Sequence, residues 1–206
     1  MPLRYLFLDM NSYFASVEQQ FRPELRHQPV AVIPMKAETT CCIAASYEAK
    51  RFGVKTGTAV HEARKLCPQI RLVEARPALY VEVHHRIIEA VERCLPILQV
   101  RSIDEAVCRL MGAEREPDRA QQLARDIKAV MRRELGEYLR CSIGLAPNVI
   151  LSKVAADLHK PDGLSVISSE ELPQQLYPLV LRDLPGVGCR EFFHDSTSRP
   201  VTQPLP

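Results

Sequence analysis

The chain has 206 residues, 46% of them hydrophobic and 25% charged, enough for one sizeable core or two small ones joined closely, and unlike a disordered composition. No apolar run reaches the roughly 18 residues that a membrane helix needs, and the apolar stretch after Met1-Pro2 ends too soon, at Asp9, for a secretory signal, so a cytoplasmic protein is expected. The seven cysteines are an odd number with no C-x-x-C spacing, which argues against a disulfide framework and a zinc site, and a net charge of +2 is too small by itself to announce a nucleic-acid partner.

Leu3 to Leu8, apolar but for Arg4, predicts a buried strand that ends in the polar cluster Asp9-Met10-Asn11-Ser12. Tyr13, Val17 and Phe21 then recur every fourth residue, predicting a short helix with Asn11 or Ser12 as its N-cap. Pro29 to Pro34 and Cys41 to Ala45 read as strands, Gly53 and Gly57 as turns and His61 to Leu66 as a small helix, together a mixed insert. From Lys50 to Arg76 seven Lys or Arg stand against two Glu, an excess that suits a solvated face or a phosphate-facing surface.

Leu79, Val83, Ile87, Val91 and Leu95 predict a helix that Pro96 stops. Ile97 to Leu110 reads as a β-hairpin around Ser102-Ile103-Asp104-Glu105, and Leu123, Ile127, Met131 and Leu135 mark a second helix over about 117–135. A strand at Cys141 to Leu145, a helix at Asn148 to Leu158 and a strand at Leu164 to Ile167 follow, and Ser168-x-x-Glu171 is a capping box for a helix with Leu172 and Leu176. The order contains a β-α-β-β-α-β frame: an α+β fold whose antiparallel sheet is backed by helices on one face.

Asp9 is unusual at the end of an apolar strand, since a buried carboxylate needs a partner. In such a sheet the end of the first strand and the hairpin loop share an edge, which brings Asp9 toward Asp104 and Glu105. Carboxylates that close resist ionisation unless a cation joins them, and hard oxygen donors suit Mg²⁺. Asp104 and Glu105 would point to opposite faces of a regular strand, so both serve one site only if a turn or bulge reorients one. By itself an Asp-Glu pair is usually a polar turn.

Four blocks decide between these readings. Leu8-Asp9-Met10-Asn11-Ser12-Tyr13-Phe14-Ala15-Ser16-Val17-Glu18, Tyr47-Glu48-Ala49-Lys50-Arg51-Phe52-Gly53-Val54, Ser102-Ile103-Asp104-Glu105-Ala106 and Lys153-Val154-Ala155-Ala156-Asp157-Leu158-His159-Lys160-Pro161-Asp162-Gly163 occur in this order. They resemble the signature blocks of Y-family, translesion DNA polymerases with a UmuC-like region, here over about residues 3–188. The resemblance implies a ferredoxin-like palm from about 1–20 and 77–163, a small α/β fingers insertion at 21–76 and a partial helical thumb from 164 to 188. It implies DNA-directed DNA polymerase activity on primer-template DNA with deoxynucleoside triphosphates. Asp9, the Met10 carbonyl and Asp104 would hold two Mg²⁺, with Glu105 completing the metal site as the auxiliary catalytic acid.

Phe14 falls at the family's steric-gate position, where a bulky ring collides with a 2′-hydroxyl; Tyr13 beside it is expected to pack inward. Tyr47, Lys50 and Lys160 match contacts to the triphosphate, with Arg51 adjacent. Lys50 stands where the family usually has Arg, which exchanges a bidentate phosphate grip for a point charge. Asn11 stands where many relatives have Asp, and Arg109 where an acidic residue is common. A nucleotide cyclase on a similar frame shares the metal logic but does not account for Phe14 or the Tyr47 block.

Leu181-Arg182-Asp183-Leu184-Pro185-Gly186-Val187-Gly188 resembles the first half of a helix-hairpin-helix, whose glycines, Gly186 and Gly188, let backbone N–H groups approach a DNA phosphate. Past it the sequence diverges, and 189–206 is expected to be a disordered tail. The expectation is a monomeric, weakened catalytic fragment without a sliding-clamp partner; the alternative is a truncated, non-catalytic nucleotide- or DNA-binding remnant.

Overall fold

Alternation along the first strand sets the architecture. In the computed structural model, which describes residues 2–180 and 184–186, β1 (Tyr5–Met10) sends Leu6, Leu8 and Met10 to one side and Phe7 and Asp9 to the other. A strand apolar on both sides belongs at the centre of a sheet. It pairs antiparallel with β6 (Glu105–Arg109) and β7 (Cys141–Ala146), in the order β5-β6-β1-β7-β8. The edges are β5 (Ile97–Val100) and β8 (Leu164–Val166), the latter parallel to β7. The first four strands of that order are those of the expected frame.

Leu6, Leu8 and Met10 pack against α4 (Pro77–Glu92) and α5 (Pro117–Leu135), the two helices with the clearest fourfold spacing. Each buried aliphatic side chain there contributes about 2 kcal/mol. The sheet is not covered on one face alone: α6 (Val149–Leu158) lies across the other, where Phe7, Val107 and Ala156 cluster. Phe7 needs that cover as much as Leu6 needs α4.

Contact between α6 and the sheet is close because Gly144 lacks a side chain. A Cβ there would lie 2.0 Å from the Ser152 carbonyl oxygen and 2.3 Å from the Ala156 nitrogen. Neither backbone atom can retreat without moving α6. Gly144→Ala is expected to destabilise the fold by about 3 kcal/mol, the upper range for overpacking, read as a lower urea midpoint at unchanged slope. An unchanged midpoint would show that α6 is not seated as described.

The insert forms its own sheet, β3-β2-β4, from β2 (Val30–Ile33), β3 (Ala44–Ala45) and β4 (Arg71–Glu74). β4 runs parallel to β2; it went unpredicted because Arg71 and Glu74 are exposed and break its apolar pattern. Two helices, α2 (Tyr47–Lys50) and α3 (Val60–Leu66), complete a small core of Ala31, Ile33, Val54, Val60 and Ala63. The Ser46 side chain accepts from the Ala49 N–H and so opens α2 at Tyr47.

Two local expectations change. Helix α1 (Tyr13–Phe21) has its predicted span, but neither candidate cap works through its side chain. Ser12 takes a left-handed conformation (φ 48°, ψ 46°) without a capping bond, and the Asn11 amide donates to Ser142 Oγ at 3.0 Å while its oxygen accepts from the Asp162 N–H at 2.7 Å. Ser168 Oγ does donate to Glu171 Oε2 at 2.9 Å, yet only 3₁₀ turns form at Ser169–Glu171 and Gln174–Leu176, because Pro173 has no N–H to carry a helix onward. Of the Leu181 to Gly188 unit, Leu184 packs against the Val154 side of α6 and Gly186 is exposed at φ 89°; Gly188 and the tail lie outside the described residues. Among the described residues, no helix is long and apolar enough to cross a membrane.

Candidate active site

The C-terminal end of β1 opens into a cleft between the two sheets, of about 230 Å³. Asp9, Met10 and Asp104 line its floor, Ser12, Tyr13 and Phe14 its side, and Ile43, Ala44, Lys50, Thr56 and Lys160 close it from the insert and the end of α6. Hairpin register produces this meeting. Asp9 pairs with Glu105 across the sheet, and the Met10 N–H donates to the Asp104 carbonyl at 2.9 Å.

Asp9 is 5% exposed, so its charge must be met inside the protein. Two lysines meet it: Lys160 Nζ lies 2.7 Å from Oδ1, and Lys153 Nζ pairs with Oδ2. Lys153 also reaches Glu105 at 2.7 Å and Asp157 at 3.3 Å, and Lys160 reaches Asp157 at 2.7 Å. Burial alone would lower the Lys153 pKa, but the charge of Asp9 and hydrogen bonds to Asp9 and Glu105 carry it well above the usual lysine range. Its pKa being raised on folding, this network contributes stability in full below the ordinary lysine value near 10.4 and loses it as pH rises through the folded one.

The three predicted carboxylates therefore meet as two pairs. Asp9 and Asp104 share the cleft, whereas Asp9 and Glu105 share the Lys153 ammonium on the α6 face. Among the described residues, no group of three His, Cys, Asp or Glu side chains gathers closely enough to hold a metal ion. The reason is the one foreseen for adjacent residues: Glu105 starts a strand and faces α6, while Asp104 ends the loop and faces the cleft, its carboxylate accepting from Ser102 Oγ at 2.6 Å. The carboxylates that line the cleft, Asp9 and Asp104, offer hard oxygens, and two lysines are drawn onto Asp9. That set fits a hard divalent cation.

Phe14 is half-buried on the cleft wall, stacked on Tyr80 with ring centroids 4.5 Å apart and planes 23° from parallel. Tyr13 is buried and donates its hydroxyl proton to the Tyr80 carbonyl at 2.7 Å, so that proton is not free for a ligand. Tyr80 is held in turn by Glu18, whose carboxylate, 0% exposed, accepts from the Tyr80 hydroxyl at 2.8 Å and from Arg76 at 3.0 and 2.8 Å.

On the insert side, Lys50 Nζ sits 4.5 Å from the centroid of the Tyr47 ring. Lys50 and Lys160 both line the cleft, and burial first, then the like charge of Lys160, lower the Lys50 pKa. Burial also pushes the Tyr47 hydroxyl up to about 12, so it remains a hydrogen-bond donor at neutral pH. Two of the expected contacts lie outside the cleft lining: Arg51 is exposed at the C-cap of α2, and Tyr47 lines the neighbouring pocket with Asn11 and Pro161. Asn11 likewise turns away, toward Ser142 and Asp162. Sequence reading gave no role to Lys153, Asp157 or Thr56, although the spacing Lys153-x-x-x-Asp157-x-x-Lys160 puts those charges on one stripe of α6 and its exit.

Among solved structures the fold is similar to that of Y-family polymerases: DinB from Sulfolobus solfataricus aligns over 93% of this chain with a TM-score of 0.82 and 30% identity, and an insertion ternary complex of Dbh DNA polymerase does so to the same extent. The chain belongs to the impB/mucB/samB family, whose sequence profile matches residues 8–157. Curated relatives named DNA polymerase IV include those of Moorella thermoacetica, 40% identical over 92% of this chain, and Metallosphaera sedula, 33% identical over 89%. The chain spans about half of each, 47% and 53% of their lengths.

Proposed function

We propose that this chain carries the catalytic half of a template-directed DNA polymerase of the translesion type, with a palm at 1–20 and 77–163, fingers at 21–76 and the start of a thumb from 164. The observation that carries the reading is the cleft itself, where Asp9 and Asp104 line the same opening as Lys50 and Lys160, with Phe14 as a wall and Lys160 paired to Asp9 at 2.7 Å. Carboxylates that can take metal ions and ammonium groups that can take phosphate oxygens, gathered at one opening, suit a triphosphate, for which Lys160 would exchange Asp9. Asp9, the Met10 carbonyl and Asp104, with Glu105 alongside, would hold two Mg²⁺, which when bound supply charge stabilisation at the reacting phosphoryl group.

The chain's own groups do the rest. Lys50 and Lys160 neutralise phosphate oxygens, and the protonated Tyr47 hydroxyl donates to one. Phe14, braced by Tyr80, excludes a 2′-hydroxyl. Phe14→Ala is therefore expected to lower the preference for deoxy- over ribonucleotides by about a hundredfold, the scale of a lost steric exclusion of two to three kcal/mol, measured as a ratio of single-nucleotide insertion efficiencies. An unchanged ratio would remove Phe14 from sugar selection.

The deciding assay is primer extension at low salt, because binding through phosphate contacts weakens steeply as salt rises. Wild type should extend a primed template and Asp104→Ala should not. Equal signals from the two proteins would sink the proposal.

A further inference from the structure

The geometry points to His84 as the residue that positions Asp104. This rests on the assignment of Asp104 to the reaction centre made above, and concerns how the fold holds it there.

Asp104 ends the connection between β5 and β6, and most of that connection is tied only to itself. The N–H groups of Arg101 and Ser102 both donate to the Glu105 carbonyl, at 2.9 and 3.3 Å, and Ser102 Oγ donates to the Asp104 carboxylate at 2.6 Å. Such bonds shape the loop but would travel with it if it swung. Two bonds reach outside the hairpin. The Asp104 carbonyl accepts from the Met10 N–H at 2.9 Å, and the Ile103 carbonyl lies 2.9 Å from His84 Nδ1 on α4.

The second bond controls the side chain. The Ile103 carbonyl and the Asp104 N–H belong to one rigid peptide plane, and turning that plane is the motion that would swing the carboxylate out of the cleft. A carbonyl oxygen can only accept, so Nδ1 carries the proton. Among the described residues, His84 contributes the one side-chain hydrogen bond to residues 101–104 from outside the hairpin. Its helix does not yield: Tyr80, Val83 and Ile87 on α4 are buried in the main core, and Ile103 packs against the same cluster. One helical turn separates His84 from Tyr80, so α4 braces the gate ring at one position and the carboxylate loop at the next. A histidine on a half-buried helix face would otherwise be an ordinary surface residue; its tie to the peptide before Asp104 gives it a task.

The test uses the 206-residue chain with His84→Ala, which removes the tether, and His84→Asn, whose side-chain N–H stands near the place of Nδ1–H. Three quantities are read: insertion kinetics, Mn²⁺ affinity of the DNA-free protein by electron paramagnetic resonance, and thermal midpoint. His84→Ala is expected to lower kcat about tenfold with little change in nucleotide KM, the effect of a modest misplacement of a reacting group, and to weaken Mn²⁺ binding several-fold. His84→Asn should recover most of both. Unchanged kcat and Mn²⁺ affinity in His84→Ala would overturn the inference, as would an Asn variant as impaired as Ala. Asp104→Asn separates the two levels of the argument. If it binds Mn²⁺ as wild type does, the assignment of Asp104 fails and this inference with it; if it binds weakly while His84→Ala binds normally, only the inference fails.

Discussion

Asp9→Asn should reduce primer extension by a factor of about 10³ or more, roughly 4 kcal/mol of transition-state stabilisation, while leaving the protein folded. The two halves of that expectation come from different neighbours. Activity falls because Asp9 is the buried carboxylate common to the cleft and to the α6 face, and an amide offers one neutral acceptor where two charged oxygens stood. The fold survives, with the part of the network's stability that Asp9 supplies lost, because Lys153 keeps Glu105 at 2.7 Å and Asp157 at 3.3 Å, and Lys160 keeps Asp157 at 2.7 Å. Neither ammonium is stranded. Insertion kinetics beside a urea melt would check both, and a variant that lost activity only in proportion to its folded fraction would reduce Asp9 to a structural residue.

The same residues show how far sequence reading reaches and where it stops. Fourfold spacing located α1, α4 and α5 within a few residues, because each buries a continuous stripe and the period survives in the letters. Asp9 stood out because a carboxylate at the end of an apolar strand is costly wherever the strand ends up. What stayed hidden depends on pairing in three dimensions. β4 escaped because its exposed Arg71 and Glu74 interrupt the pattern, and it exists through its parallel register with β2, a contact across 40 residues of chain. Glu105 is read from the sequence as part of one cluster with Asp9 and Asp104, and strand alternation, visible in the letters as a caution, turns its side chain toward Lys153 beside Asp9. Arg51 was included for its place beside Lys50 and lies exposed at the end of a short helix. Lys153 was visible in a quoted block but had no role until α6 was seen to cross the sheet over Phe7, 5.2 Å from its ring.

Arg76→Ala should destabilise the fold by about 3 kcal/mol, the low end for breaking a buried ion pair by removing one partner. Glu18 is fully buried beneath α4, and Arg76 supplies two of its hydrogen bonds, at 3.0 and 2.8 Å. Without Arg76 the carboxylate keeps the Tyr80 hydroxyl at 2.8 Å and a looser contact with Arg22 at 3.5 Å, which is why the low end applies. The double variant Glu18→Met with Tyr80→Phe should lose less than the sum of its parts, because no polar group of that pair is then left buried without a partner. Urea denaturation of the set would decide it, and additive losses would show that Glu18 and Tyr80 are not coupled. Such a coupling also has a consequence at the cleft. Tyr80 stacks on Phe14, so a loosened Glu18 network should relax sugar discrimination at temperatures where the fold is still intact, and Arg76→Ala assayed below its midpoint should accept ribonucleotides more readily than wild type.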